Sequence, residues 1–333
     1  MSVATLNAVE ACIYFTRLTV SEDGIYLPLP HDCRASFINA CPHITAIRTI
    51  LRAYADMFAI DLLAEWTTPT KHSIDRRVLE AGMYASFAYY LEERHNVLPS
   101  ALAFYSSGIA PALMFAKAIS PHDYLANLAP FHSANRTAYV NAESRFELAQ
   151  TRLESDVNED LESFVEHALD EESLKARVFI KDRRHHHTLL VAGSRAEVER
   201  VRRMAMDAFA SVAHQSPKLV DASSAHLPLY DRAPLEALLE TIRFNAPRFP
   251  LIGIDGSTLL SSNADQTAMR HVVQHAAMGF MNTGKVIKEA AQLSNRMIVV
   301  GSPFGIRVLD RAHLGGYPVA EPASNLMRNQ MAV

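Results

Sequence analysis

Apolar positions along the chain recur at two periods. Residues 44–66 carry them at helical spacing and run into Thr67, Thr68 and Pro69. A longer helical stretch, 73–94, has its apolar side at Val78, Ala81, Met83, Ala85, Phe87, Ala88 and Leu91. A polar turn over 92–96 ends it, and Pro99 prevents its continuation. Apolar runs of strand length appear at 8–15, 100–105, 249–254 and 297–301. Between two of them, 109–119 is an apolar, alanine-rich helix stopped by Ser120 and Pro121.

The middle of the chain reads differently. Residues 143–174 are acidic and helical, 176–180 and 188–192 are strand-like, and 194–210 is a helix with Ser194 as its cap and Glu197 three residues later. Helix, strand, strand and helix in that order predict a small α+β unit, 138–210, inserted into a larger α/β unit made of 1–137 and 211–333. In the larger unit, Pro234 opens a helix over 234–242, at a position where its missing N–H costs nothing. A further helix is expected over 267–291, and the Gly- and Pro-rich tail from Gly315 is expected to be loose.

Bulk properties narrow the field. The 333 residues carry a formal net charge of −4, so no general basic field draws nucleic acid to the protein. No window approaches the apolar run of about 20 residues that a membrane-spanning helix needs, and the first 14 residues lack the charged start of a signal peptide. Cys12, Cys33 and Cys41 make an odd count without metal-ligand spacing, which reads as reduced thiols in a cytoplasmic protein. No metal site is expected; the run His185–His187 alternates in direction on a strand and reads as part of a solvated basic loop.

One segment carries chemistry. A strand-length run ends at Tyr105, Ser106-Ser107-Gly108 follows, and an apolar helix begins. A strand, a tight serine turn and a helix can present a hydroxyl for nucleophilic attack, although the first glycine of G-x-S-x-G is replaced by Phe104. An ordinary strand-to-helix turn is the alternative reading of these residues alone.

The flanking sequence adds a resemblance. Residues 105–119, YSSGIAPALMFAKAI, resemble the H-S-L-G-E-Y-x-A-L run around the nucleophile of the malonyl-CoA:acyl carrier protein transacylases. Leu190-Val-Ala-Gly193 with Ala196-Glu-Val-Glu199 resembles that family's V-I-A-G…E-A-V-E segment. Ile242-Arg-Phe-Asn-Ala-Pro247 with Pro250 is similar to its I-x-F-x-x-P-x-x-P segment, and Val300-Gly301-Ser302-Pro303 to its V-G-P-G. The matches keep their order over residues 10–312. The resemblance implies a hydrolase-like α/β core with a parallel sheet and an inserted ferredoxin-like subdomain. It implies Ser106 as nucleophile, His226 as base, the main chain at Ser107 and Leu18 as oxyanion hole, and the main chain of Met281 as the group orienting the histidine. It also implies acyl-CoA and acyl carrier protein as partners, CoA or phosphopantetheine thioesters as substrates, no bound cofactor, and a setting in polyketide or related specialised metabolism.

The departures bear on specificity. The family's G-Q-G-S-Q loop falls at Arg17-Leu-Thr-Val-Ser21, and the arginine that pairs with the malonyl carboxylate falls at Phe131, with His132 and Arg136 close by. Phe131 is therefore expected to line an apolar acyl pocket and favour a non-malonyl acyl group. Arg183 and Arg184, with Lys181, are expected to contact a phosphopantetheine phosphate or an acidic carrier protein. A proofreading thioester hydrolase of the same fold and a catalytically inert carrier-binding scaffold are the competing readings.

Overall fold

The computed structural model describes residues 8–18, 31–67, 74–156, 158–171, 174–185, 187–215, 217–257, 259–261, 263–301 and 320–322. The chain begins with β1 (Val9–Phe15), followed by α1 (His31–Ala40), α2 (Thr45–Phe58), α3 (Leu62–Thr67) and α4 (Arg76–His95). β2 (Val97–Phe104), a 3-10 turn (Ser106–Gly108), α5 (Ile109–Phe115), the short α6 (Pro121–Asp123), a π-turn (Tyr124–Leu128) and α7 (Ala129–Glu143) come next. Then come β3 (Leu148–Glu154), α8 (Leu161–Glu171), β4 (Val178–His185), β5 (Thr188–Ser194), α9 (Arg195–Ala208), α10 (Ala210–His214) and β6 (Val220–Asp221). The remainder is α11 (Ala233–Thr241), β7 (Leu251–Ile252), β8 (Leu259–Leu260), α12 (Gln266–Met278), α13 (Thr283–Leu293), β9 (Met297–Val300) and β10 (Ala320–Pro322).

Two sheets result. The larger has strand order β10-β9-β1-β2-β7-β8, with every pair parallel except β7 with β8. Its central strands read as unbroken apolar runs, CIYF in β1 and MIVV in β9, because helices cover both faces. The smaller sheet is antiparallel, in order β4-β5-β3-β6, and its elements follow one another as β-α-β-β-α-β, the connectivity of a ferredoxin-like unit. It has a separate core in which Val165 and Leu169 of α8 and Val198 and Val201 of α9 pack on Leu189 and Val191 of β5. Mixed α/β architecture with a parallel sheet is the fold class expected from the sequence.

Local differences from expectation have identifiable causes. The 44–66 stretch is two helices: Ala59 turns left-handed (φ 54°) to end α2, and Asp61 starts α3 by accepting from the N–H groups of Leu63 and Ala64. Within 143–174, read as helical, lies β3, whose side chains alternate between the core and the outside. The strands of the smaller sheet span 148–221, later than the 138–210 insertion expected. The 267–291 helix is interrupted between Gly279 and Asn282, where Asn282 caps α13 by accepting from the Lys285 N–H at 3.0 Å. Pro99 does not precede its strand but lies inside β2, at the register shift opposite Ala11, where a missing N–H is tolerated. Ser194 precedes α9 as expected but makes no side-chain cap bond. The tail holds β10 paired with β9; the rest of it lies outside the described residues, as do Thr68, Pro69, Ser302 and Pro303.

The turn after β2 is packed tightly against β1. A Cβ on Gly108 would lie 2.5 Å from the Phe15 carbonyl oxygen and 2.6 Å from that of Thr16. Both are main-chain atoms, so neither can swing aside. Gly108→Ala is expected to lower stability by about 1–3 kcal/mol, read as a lower midpoint in urea with an unchanged slope.

Candidate active site

Ser106 sits immediately past the C-terminal end of β2, where open α/β sheets place their ligand crevices. Its φ is +51°, and that of His226 is +66°. The other positive-φ residues with a side chain among those described, Ala59, Asn96 and Lys117, all sit at helix C-terminal ends, where such values are ordinary. Ser106 and His226 have no such excuse. Their backbones are held in an unfavourable region by the surrounding structure, as happens at reactive turns.

The two side chains meet: Ser106 Oγ lies 2.7 Å from His226 Nε2. The other ring nitrogen, Nδ1, lies 2.8 Å from the Gly279 carbonyl. A carbonyl only accepts, so Nδ1 carries the proton; in the neutral ring Nε2 is then left as the acceptor for the serine hydroxyl. The expected orienting residue, Met281, does not serve. Its carbonyl accepts from the Arg183 N–H and its N–H donates to Lys181, so both its main-chain groups are spent joining β4. The helix break frees the Gly279 carbonyl instead.

The histidine loop is fixed from two sides. Ser224 Oγ donates to the Tyr139 carbonyl at 2.6 Å, and the Ser224 N–H donates to Glu143 at 2.9 Å, both groups belonging to α7. Lys181 Nζ of β4 donates to the Ser223 carbonyl at 3.2 Å. His226 is buried, and burial, followed by the charge of Lys181, lowers its pKa to about 3 against the pull of the Gly279 bond. Burial and Arg17 lower Lys181 itself to about 8.

Ser106 and His226 open onto a cavity of about 720 Å³. Five cationic side chains line it, Arg17, Arg77, Arg136, Lys181 and Arg184, against one carboxylate, Asp75. Arg136 pairs with Asp75 at 3.0 Å and Arg184 with buried Asp182 at 3.2 Å. Asp182 also accepts from the Thr283 N–H and hydroxyl, which ties the smaller sheet to the start of α13.

Phe131 is not part of this wall. It is fully buried in the main core, and its neighbour His132 faces the cavity in its place. Phe131 follows the π-turn at 124–128, near the start of α7, on the side of that helix that faces the main core. Burial and Arg77 hold His132 neutral, with a pKa of about 4. Arg183 is likewise turned from the role expected of it, since its guanidinium is committed to Glu162 and Glu166 of α8 at 2.6 Å each. Arg184 does reach the cavity, but as the partly buried partner of Asp182 and not as a surface contact. Leu18 and Ser107 both border the cavity, yet the Leu18 N–H donates to the Ser107 hydroxyl at 2.9 Å. Sequence reasoning missed Gly279 and Arg17 as site residues. The glycine inside an otherwise helical pattern was the available signal for the first.

No protein-family model matches the chain, and no curated protein matches it. Solved structures do. An acyl carrier protein S-malonyltransferase from Vibrio cholerae superposes with a TM-score of 0.69 over 95% of this chain and 96% of its own, at 15% identity. A type II polyketide-synthase malonyl-transacylase, solved with its acyl carrier protein, gives 0.68 over 98% and 100%, also at 15% identity. The acyltransferase domain from the second module of the salinomycin polyketide synthase gives 0.65 over 95% of this chain and 69% of its own, at 17% identity. The chain therefore has the acyltransferase fold of these proteins. Among the described residues, no helix is long and apolar enough to cross a membrane.

The depressed histidine has a kinetic consequence. Because the folded-state pKa lies well below the ordinary 6.5, the ring stays neutral as pH falls through that value. For any reaction that uses His226 as base, kcat/KM is expected to stay level from pH 8 down to about pH 5. A pH–rate profile with an acid limb at 6–7 would show that the ring is not held neutral.

Proposed function

We propose that the protein is a serine acyltransferase acting on CoA or carrier-protein thioesters. The observation that carries this reading is the Ser106–His226–Gly279 array on a strained strand-to-helix turn, within a fold shared with malonyltransferases. Ser106 Oγ attacks the thioester carbonyl and passes its proton to His226 Nε2, and the carbonyl electron pair moves onto oxygen. Collapse expels the thiolate, which takes the proton back from the imidazolium, and the acyl group remains on Ser106. A second thiol, that of a carrier protein's phosphopantetheine arm, reverses the sequence. The protein solved with its acyl carrier protein supports that partner.

The basis for expecting a neutral acyl group, Phe131 in the pocket, is gone. An acyl group bearing a carboxylate suits the cavity better. Five cations outnumber Asp75 and the Asp182 carboxylate paired with Arg184, which leaves a positive field, and a carboxylate about 4 Å from one such charge gains on the order of 4 kcal/mol near a protein surface. A neutral acyl group gains none of this.

The reading is checked by intact-mass analysis after incubation with malonyl-, acetyl- and butyryl-CoA. We expect a Ser106 adduct that is absent in Ser106→Ala, loading at least about 10²-fold slower in His226→Ala, and malonyl faster than either neutral group. Arg136→Met, which leaves Asp75 as an uncompensated anion in the wall, is expected to erode that preference. Faster loading of every neutral group would overturn the charged-acyl assignment, and an undiminished adduct in Ser106→Ala would overturn the nucleophile. Adduct loss at the same rate with and without a phosphopantetheinylated carrier protein would mark a hydrolase.

A further inference from the structure

The hydrogen bond between Leu18 and Ser107 assigns a role to a side chain that neither the fold nor the nucleophile–base pair explains. The segment after β1 is held firmly on the serine turn. The Tyr105 N–H donates to the Phe15 carbonyl at 2.9 Å, and Gly108 packs against the Phe15 and Thr16 carbonyls closely enough to exclude a methyl group. This places the Leu18 N–H against the residue that follows the nucleophile, at the edge of the cavity that Ser106 also lines. That N–H is engaged by the Ser107 hydroxyl at 2.9 Å. Residues that open a helix lean their side chains toward its N-terminus, which for Ser107 is the direction of the turn carrying Ser106.

A hydroxyl that accepts a hydrogen bond keeps its own proton to donate, and it donates more strongly because it is polarised by the bond it accepts. The Leu18 N–H also fixes the rotamer, so little ordering remains for the reaction to supply. We infer that Ser107 is a further catalytic residue. Its hydroxyl, oriented by the Leu18 N–H, donates to the thioester carbonyl oxygen as charge develops there during attack by Ser106. The side-chain donor, carried by the 106–108 turn, thus stands one hydrogen bond beyond the main-chain amide of Leu18. This assignment rests on the acyl-enzyme reading above and concerns only which donor stabilises its oxyanion.

The test is single-turnover loading of the full chain, followed by quenching and intact mass, with whichever of malonyl-, acetyl- and butyryl-CoA loads the wild type fastest. Ser107→Ala is expected to slow loading of Ser106 by about 10²-fold, the usual effect of losing one oxyanion donor. The half-saturating thioester concentration should be unchanged, because the bond strengthens only as the carbonyl oxygen gains charge. Ser107→Thr, which retains a hydroxyl, is expected to restore most of the rate, and thermal melts identify any variant that is slow because it is unfolded. Loading of Ser107→Ala at or above the wild-type rate would overturn the proposal and mark the hydroxyl as a plug on the Leu18 amide. Folded Ser107→Ala and Ser107→Thr proteins that are equally slow would overturn it in favour of a packing role. No adduct on wild-type Ser106 with any thioester would instead overturn the transferase reading, and this proposal with it.

Discussion

The bond from His226 Nδ1 to the Gly279 carbonyl is the constraint on which the site depends. It sets the tautomer, and the tautomer decides whether Nε2 can accept the Ser106 proton at all. A carbonyl is a weaker partner than a carboxylate, but it brings no charge into a buried place. An aspartate there would raise the histidine pKa and require a second buried charge to be compensated. The neutral partner leaves the ring to its surroundings, and burial beside Lys181 then holds it unprotonated.

That bond exists because two layers with separate hydrophobic cores meet at one place. Ser106 belongs to the parallel sheet, and its position follows from the register of β1 and β2 and the close approach at Gly108. His226 belongs to the loop leaving the smaller sheet, anchored on α7 and Lys181. Gly279 ends α12, on the main core, and the next residues pair with β4 through Met281 and through Asp182 with Thr283. The Ser106–His226 geometry thus reports the docking of the smaller sheet on the larger one. A change that loosens the Asp182–Thr283 contact acts on the site without touching Ser106 or His226.

How much of this could be read in the sequence divides along physical lines. The strand, serine turn and helix at 97–115 were legible because they depend on local pattern, and His226 because its surroundings kept the spacing of a known segment. β3 was missed because the acidic residues around Leu148–Glu154 mask an alternation only seven residues long. The breaks at Ala59 and Gly279 were missed because apolar spacing carries across a two- or three-residue interruption. Phe131 was placed by matching sequence segments, which fix a position along the chain but not the side of α7 it occupies. Arg183 and Arg184 were read together, but neighbours on a strand face opposite ways, so one meets α8 and the other the cavity.

The charge of the cavity acts on both halves of the chemistry, with opposite signs. In the proposed reaction, positive side chains near Ser106 favour the oxyanion, yet the same charges disfavour the imidazolium formed when His226 takes the serine proton. Lys181 is the sharpest case, since it lines the cavity and also depresses the histidine. Burial is the larger cause of the low proton affinity of His226, and the charge of Lys181 adds to it. An anion seated among Arg17, Arg136 and Lys181 would offset part of that positive field and raise the histidine pKa toward its ordinary value. A carboxylate on the acyl group would therefore do more than add affinity: it would strengthen the base only while a charged acyl group is in place. A neutral acyl group would leave His226 as weak as before, so discrimination between the two would fall on the rate of acylation as well as on binding.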